Sequence, residues 1–202
     1  FRWPMAISLS KDGLEYTTLN LVHGDVTPER HWGLYKSYGP QYTRGILEGN
    51  GTPPDGDLWV TYSHNKEDMW VSRIMVPVQT KASAHVDTDF SKYSTLAELE
   101  DWNIYSPLWA PVELNGKWIK LNDKDPYDYS KIEKVIPATK ELQFDFDLQI
   151  AQKDFGVLHV EFLDDKGNVA SRIVVDSTAT IKVKGGARYG TMLKNYETNK
   201  TY

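Results

Sequence analysis

One ten-residue segment in the last third of the chain constrains the fold more than any other. Between positions 141 and 150 polar residues alternate strictly with apolar ones, and the apolar residues are Leu142, Phe144, Phe146, Leu148 and Ile150. Successive side chains of a β-strand point to opposite faces of a sheet, whereas a helix repeats every 3.6 residues. The pattern therefore predicts a strand with one face on a core and the other in water.

Other segments in the last third of the chain indicate the same kind of structure. Residues 158–162 repeat the alternation, and a turn at 164–168 leads to two further expected strands, at 169–175 and 177–183. Short antiparallel strands that follow one another with almost no helix are typical of a β-sandwich. We therefore predict an all-β protein in which residues 90–202 form an antiparallel β-sandwich. We expect this sandwich to be an accessory domain.

The first 80 residues have a different pattern. Four strands are expected there, at residues 5–9, 14–22, 58–62 and 69–76. The last two form a hairpin with apolar side chains on both faces, and such strands need protein layers above and below them, which the stacked blades of a β-propeller supply. Residues 81–89 are small and polar, so we predict a linker there, between a first domain at 1–80 and the sandwich.

A glycine-rich stretch, residues 38–51, precedes the predicted hairpin. It carries four polar side chains that suit a binding or catalytic site: Tyr42, Arg44, Glu48 and Asn50. Glycine lets the backbone turn sharply and approach a ligand closely. We expect this stretch to be an irregular loop that holds its side chains beside a stiff hairpin.

Charge and composition exclude several classes of partner. The net charge of -5 and the isoelectric point near 5.5 argue against a nucleic-acid partner. The chain has no cysteine, and no apolar run approaches the ~18 residues of a spanning helix, so we expect no disulfide and no membrane insertion. The first residues do not form a signal peptide, and we expect the chain to be a piece of a longer protein.

Three local motifs in residues 2–76 give the first domain a resemblance to a known family. They are Arg2 before the turn Ser10-Lys11-Asp12-Gly13, the loop Gly39-Pro40-Gln41-Tyr42-Thr43, and the strand at 57–63. In this order they resemble the last blades of the sialidase-like (BNR/Asp-box) β-propellers of secreted bacterial carbohydrate-active proteins. The Asp-box is one residue short and lacks its usual tryptophan. The second domain resembles the jelly-roll or concanavalin-like sandwich that is often appended to such propellers.

The resemblance implies roles for several residues. Arg2 matches an arginine that binds a sugar carboxylate, and Tyr42 matches the nucleophilic tyrosine. A phenol needs a neighbouring carboxylate or cation for activation, and Glu48 supplies a carboxylate if the loop folds back. In a polysaccharide lyase, Arg44 would neutralise a uronate carboxylate and Tyr42 or a histidine would move the proton. The alternative is that Tyr42 packs and Arg44 pairs with Glu48 on a structural loop.

The remaining candidates are weaker. His23, His31 and His64 join Asn50 as candidate substrate-binding residues. His23 and His31 could carry protons in the site or bind a metal together with Asp25, although solvated surface histidines are the simpler interpretation. The run that contains Asp123, Asp125 and Asp128 is a possible structural calcium site or an Asx-rich turn; no other cofactor or metal is expected. Three tryptophans of the second domain form either a sugar platform or, more simply, part of its core: Trp102, Trp109 and Trp118.

These predictions define a secreted or periplasmic bacterial protein that acts on an oligo- or polysaccharide. The leading hypothesis is cleavage of glycosidic bonds in an acidic or complex glycan, by hydrolysis or by β-elimination. A non-catalytic glycan-binding protein and a purely structural β-protein are the alternatives. The expected partner within the same protein is the rest of the propeller, upstream of residue 1.

Overall fold

The computed structural model describes residues 3–25, 27–46, 56–78, 82–99, 101–164, 167–185 and 188–202. These residues form antiparallel β-strands and two 3-10 turns, and they include no α-helix. The prediction of an all-β protein is therefore confirmed. The strands are β1 Met5–Ser10, β2 Tyr16–His23, β3 Pro40–Ile46, β4 Leu58–His64, β5 Asp68–Ile74, β6 Trp102–Tyr105, β7 Val112–Asn115, β8 Trp118–Leu121, β9 Lys131–Lys134, β10 Leu158–Leu163, β11 Val169–Asp176, β12 Thr180–Gly185 and β13 Arg188–Lys194. The 3-10 turns are Phe90–Lys92 and Leu96–Glu98.

The chain divides into two compact units, Phe1–Ile136 and Pro137–Tyr202. The predicted linker at 81–89 lies within the first unit, where residues 82–89 precede the Phe90–Lys92 turn. The assignment of 1–80 to propeller blades and of 90–202 to a sandwich stays a prediction.

The described residues of the first unit form four small antiparallel sheets: β1 with β2, β3–β4–β5, β6 with β9, and β7 with β8. Strand β4 is the central strand of the three-stranded sheet, and its alternate residues Val60, Tyr62 and His64 are all buried. Strand β5 was expected to be buried on both faces. This is wrong, because Met69 and Val71 are exposed; β5 is an edge strand of its sheet.

The second unit is built on a four-stranded antiparallel sheet in which β10, β11, β12 and β13 follow one another in order. Its core contains Ile150, Val175, Ile181 and Tyr196, with Leu148 packed against them. Strands β10 and β11 match the predicted segments 158–162 and 169–175 closely. The two strands pair with each other antiparallel, so side chains that alternate along the sequence also alternate between the two faces of the sheet.

The alternating segment at 142–150 follows the prediction only at its end. Ile150 and Leu148 pack on the core, and Leu148 exchanges backbone hydrogen bonds with Tyr202 at 2.9 and 2.8 Å. The residues before them form no strand, and Phe144 and Phe146 are 49% and 40% exposed. The alternation marks the inward face only at Leu148 and Ile150, because a strand needs hydrogen bonds to a partner strand to complete a ladder.

No helix among the described residues is long and apolar enough to cross a membrane.

Candidate functional site

Tyr42 lies in an irregular part of strand β3, where the pairing with β4 shifts register between Gln41 and Arg44. Residues 40–46 were expected to be an irregular loop; instead they form an edge strand interrupted by this bulge. Tyr42 has a φ of 55°, a left-handed conformation that a bulky L-residue adopts rarely, and its side chain is 66% exposed. Bulges redirect side chains, and strained backbone is found often at functional sites.

An open cavity of about 410 Å³ lies beside Tyr42. It is lined by Pro4, Met5 and Ala6 at the start of β1 and by residues 40–43 of β3. The Lys66 ammonium lies 5.8 Å from the centre of the Tyr42 ring, and the same ammonium donates a hydrogen bond to the Tyr35 carbonyl. The β4–β5 turn therefore places a positive charge beside the phenol.

The structure describes only some of the residues that were predicted to act with Tyr42. Arg44 is exposed and lies opposite Thr61 of β4. Arg2, Glu48 and Asn50 lie outside the described residues. The proposed grouping of Tyr42 with these residues therefore stays a prediction.

The three candidate histidines occupy different environments. His31 is exposed, and its backbone N–H donates to the Glu67 carboxylate at 2.8 Å. His64 was expected at the surface, and this is wrong: it is completely buried. The reason is packing around the β4–β5 hairpin, which brings the His23 ring within 4.6 Å of the His64 ring. A role for His64 in substrate binding would require this packing to open.

Asn65 explains how the hairpin end becomes buried. Its side chain accepts a hydrogen bond from the Gly39 N–H at 2.7 Å and donates one to the Thr27 carbonyl at 2.6 Å. Its backbone N–H also donates to the Gly39 carbonyl. The Glu67 carboxylate, two residues later, accepts hydrogen bonds from the backbone N–H groups of Arg30 and His31. These two residues belong to the connection between β2 and β3, as Thr27 and Gly39 do. The β4–β5 turn therefore organises residues 27–39 around itself.

Polar side chains near this turn are connected by hydrogen bonds. The Tyr62 hydroxyl lies 3.0 Å from His23 Nδ1 and 2.8 Å from the Ser72 hydroxyl. Burial lowers the pKa of His23 and lowers that of His64 to about 4, while it raises the pKa of Tyr62. Neither ring nitrogen of His64 has a hydrogen-bond partner among the described residues. Burial therefore favours the neutral form of both His23 and His64.

A second polar layer adjoins the first through Trp70, which stacks on Tyr105 with ring centres 5.3 Å apart. The Tyr105 hydroxyl donates to the Asp128 carboxylate, with oxygen–oxygen distances of 3.0 and 3.2 Å. Burial raises the pKa of the Asp128 carboxyl and of the Tyr105 phenol. This network is buried and offers no surface for a substrate.

Asp25 forms the outer edge of this network. Its carboxylate accepts a hydrogen bond from the Tyr129 hydroxyl at 2.8 Å and pairs with Lys131 at 2.9 Å. Burial opposes the charge of Lys131, but the hydrogen bond and attraction to Asp25 raise its pKa on balance. The pair links the end of β2 to β9 within the first unit.

The candidate calcium residues have local roles. Asp123 accepts a hydrogen bond from the Asp125 N–H, and Asp125 accepts one from the Tyr127 N–H, each at 2.9 Å. With Asp128 turned toward Tyr105, this favours the Asx-turn interpretation. Across the part of the chain that the structure describes, no group of three or more histidine, aspartate or glutamate side chains could hold a metal ion. A calcium site here stays a prediction.

The three tryptophans of the predicted platform separate in the structure. Trp102 and Trp118 are half-buried, and Lys134 and Lys117 respectively lie over their rings. Trp109 was expected in the core, and this is wrong, since it is 58% exposed. Its apolar sequence neighbours suggested burial, but the turn at 107–110 directs the residue outward.

Comparison with known proteins identifies the family. Residues 102–202, half of the chain, match the family described as "Sialidase-like, CBM domain". The chain therefore belongs to the family of sialidase-like CBM domains. A solved structure named "Sialidase" shares 63% sequence identity with a TM-score of 0.93; the match covers 100% of this chain and 19% of that chain. A search of curated proteins finds no match.

Proposed function

We propose that this chain is the glycan-binding part of a sialidase-like protein. The observation that carries the proposal is the match of residues 102–202 to a sialidase-like carbohydrate-binding module. Exposed aromatic rings agree with it, because Trp109 and Tyr42 present apolar faces to solvent. Within this proposal, residues 1–80 are the last part of a propeller, residues 90–202 a sandwich, and the protein is secreted or periplasmic.

The test is direct binding of the purified chain to glycans. Affinity gel electrophoresis and isothermal titration calorimetry on neutral, sialylated and uronate-containing polysaccharides should detect binding to at least one class. The surface aromatic residues make enthalpy-driven binding the expected signature. The proposal is overturned if circular dichroism shows a folded chain and no polysaccharide on the panel slows its migration in the gel.

Cleavage of the glycan is the second candidate function, and it rests on Tyr42. A phenol becomes a useful nucleophile only beside a carboxylate or a cation, and Lys66 supplies a cation near the Tyr42 ring. The left-handed backbone and high exposure of Tyr42 are further features of a functional position. An acid/base carboxylate would come from chain upstream of residue 1.

Kinetics of the full-length protein test this second candidate. Tyr42→Phe should lower kcat by at least about 100-fold with little change in KM, because only the reacting hydroxyl is removed. Tyr35→Phe is the matched control, since Tyr35 is also an exposed tyrosine of the first unit. An unsaturated sugar product would identify elimination, and a saturated one hydrolysis. Full activity of Tyr42→Phe would exclude Tyr42 as the nucleophile.

A further inference from the structure

Two adjacent loops of the first unit expose three large aromatic and aliphatic side chains. Leu108, Trp109 and Tyr127 are 76%, 58% and 78% exposed. We name these three residues, together with Asp123 and Asp125, the Trp109 platform. Single exposed apolar residues are ordinary, but a group of large ones marks an interaction site.

The backbone beneath the Trp109 platform is fixed by hydrogen bonds between the two loops. The Lys124 N–H donates to the Trp109 carbonyl at 2.9 Å, and the Asn122 N–H donates to the Pro111 carbonyl at 2.9 Å. The first loop is also closed internally by a bond from Ala110 N–H to the Pro107 carbonyl. Trp109 and the run that begins at Asp123 therefore lie side by side.

Tyr127 belongs to the same fixed surface. Its N–H is held by Asp125, and the following residue, Asp128, is buried against Tyr105. Tyr127 lies three positions after Lys124, a span of at most about 11 Å. An oligosaccharide of a few residues is long enough to span this distance. Ring side chains on a fixed backbone lose little conformational entropy on binding.

The polar groups of the platform indicate the class of ligand. Asp123 and Asp125 each use one carboxylate oxygen for a backbone N–H, and a carboxylate has acceptor capacity for further hydrogen bonds. Sugar hydroxyls are suitable donors. The same negative charges repel a sialic acid or uronate carboxylate, and residues 122–129 contain three aspartates against one lysine.

We propose that the Trp109 platform binds a neutral stretch of glycan, with Trp109 and Tyr127 stacking on sugar rings and Asp123 and Asp125 accepting hydrogen bonds from hydroxyl groups. This inference rests on the proposed glycan-binding function and goes beyond it in naming the site and the ligand class. It also separates the platform from the Tyr42 region, for which an acidic sugar is expected.

The experiment compares platform variants of the full chain on defined polysaccharides. Trp109→Ala and Tyr127→Ala should each weaken binding to neutral galactomannan, xyloglucan or laminarin by at least about 10-fold, whereas Trp109→Phe should retain most of it. Trp32→Ala is the matched control, because Trp32 is a fully exposed tryptophan of the same unit outside the platform. Melting curves should coincide for all these variants.

Charge variants test the ligand class separately. Asn at positions 123 and 125 keeps a side-chain oxygen for the Asx turns, so Asp123→Asn with Asp125→Asn should preserve the loop. This double variant should increase binding to polygalacturonate or polysialic acid while weakening binding to the neutral polymers.

The outcomes distinguish this inference from the function on which it rests. A wild-type chain that binds no polysaccharide overturns both. A chain that binds glycans equally well with and without Trp109, or that binds acidic polymers alone, overturns the platform and leaves glycan binding intact. If Trp109→Ala changes the sedimentation behaviour of the chain and not its glycan affinity, the platform is a protein interface and the inference fails.

Discussion

Replacement of Asn65 tests how the β4–β5 turn holds the connection at 27–39. Asn65 is completely buried and has a φ of 52°, in the left-handed region that asparagine tolerates and alanine does not. Its side chain bonds Gly39 N–H at 2.7 Å and the Thr27 carbonyl at 2.6 Å, and all three residues are buried. Asn65→Ala removes both bonds without replacing them.

The expected cost follows from these contacts. Each buried group left without a partner costs about 1–3 kcal/mol, and left-handed backbone costs an alanine about 1–2 kcal/mol more. Two groups lose their partners, so Asn65→Ala should destabilise the first unit by about 3–8 kcal/mol. Asn65→Gly loses the same bonds but not the backbone strain, so it should recover about 1 kcal/mol of that loss.

Tryptophan fluorescence during urea unfolding is a specific assay for the first unit, because every tryptophan of the chain lies within it, at positions 3, 32, 59, 70, 102, 109 and 118. Asn115→Ala is the matched control: Asn115 is an exposed asparagine at the end of β7, and its replacement should change stability by no more than about 0.5 kcal/mol. If Asn65→Ala costs no more than Asn115→Ala, the reasoning about the buried turn is refuted.

Two further perturbations test the burial pattern. The folded-state pKa of His64, about 4, lies below its ordinary value of 6.5, so its contribution to stability is present above pH 6.5 and is lost as the pH falls toward 4, by about 3 kcal/mol. The loss in free energy of unfolding between pH 7 and pH 4, measured by urea unfolding, should be smaller in His64→Leu than in the wild type. His85→Asn, at an exposed histidine, is the control and should lose as much as the wild type. An equal loss in all three proteins would contradict the burial of His64. In the second unit, Ile181→Ala should cost about 2–5 kcal/mol because it leaves a cavity in the core, and Phe144→Ala about 1 kcal/mol or less because half of its surface is exposed. Unfolding followed by far-ultraviolet circular dichroism measures both, and similar costs would show that Phe144 is a core residue.

The positions of the strands could be predicted from the sequence to a large extent. The expected strands at 5–9, 14–22, 58–62, 69–76 and 158–162 correspond to β1, β2, β4, β5 and β10. Alternation and turn residues are local properties, and the direction of a side chain along an extended backbone follows from chain geometry alone. At Tyr42 the glycine-rich surroundings indicated an unusual backbone, and the residue has a φ of 55°, whereas its role in a site stays a prediction.

Other outcomes depended on segments far apart in the sequence. Residues 142–147 have the pattern of a strand, yet a strand needs a hydrogen-bonded neighbour, and only Leu148 and the residues near it find one, at the C-terminal end of the chain.

Burial of polar residues was decided by tertiary packing alone. His64 and Asp128 both lie in runs of turn-forming polar residues, which indicate a surface location. His64 is buried because the connection at 27–39 covers the hairpin and the His23 ring packs against it, and Asp128 is buried because Tyr105 supplies a hydroxyl donor. Trp109 shows the reverse, an aromatic residue in apolar surroundings that the paired loops leave exposed. Sequence neighbours fix which groups a segment carries, whereas the free energy of burying a polar group depends on partners that only the folded chain brings within bonding distance.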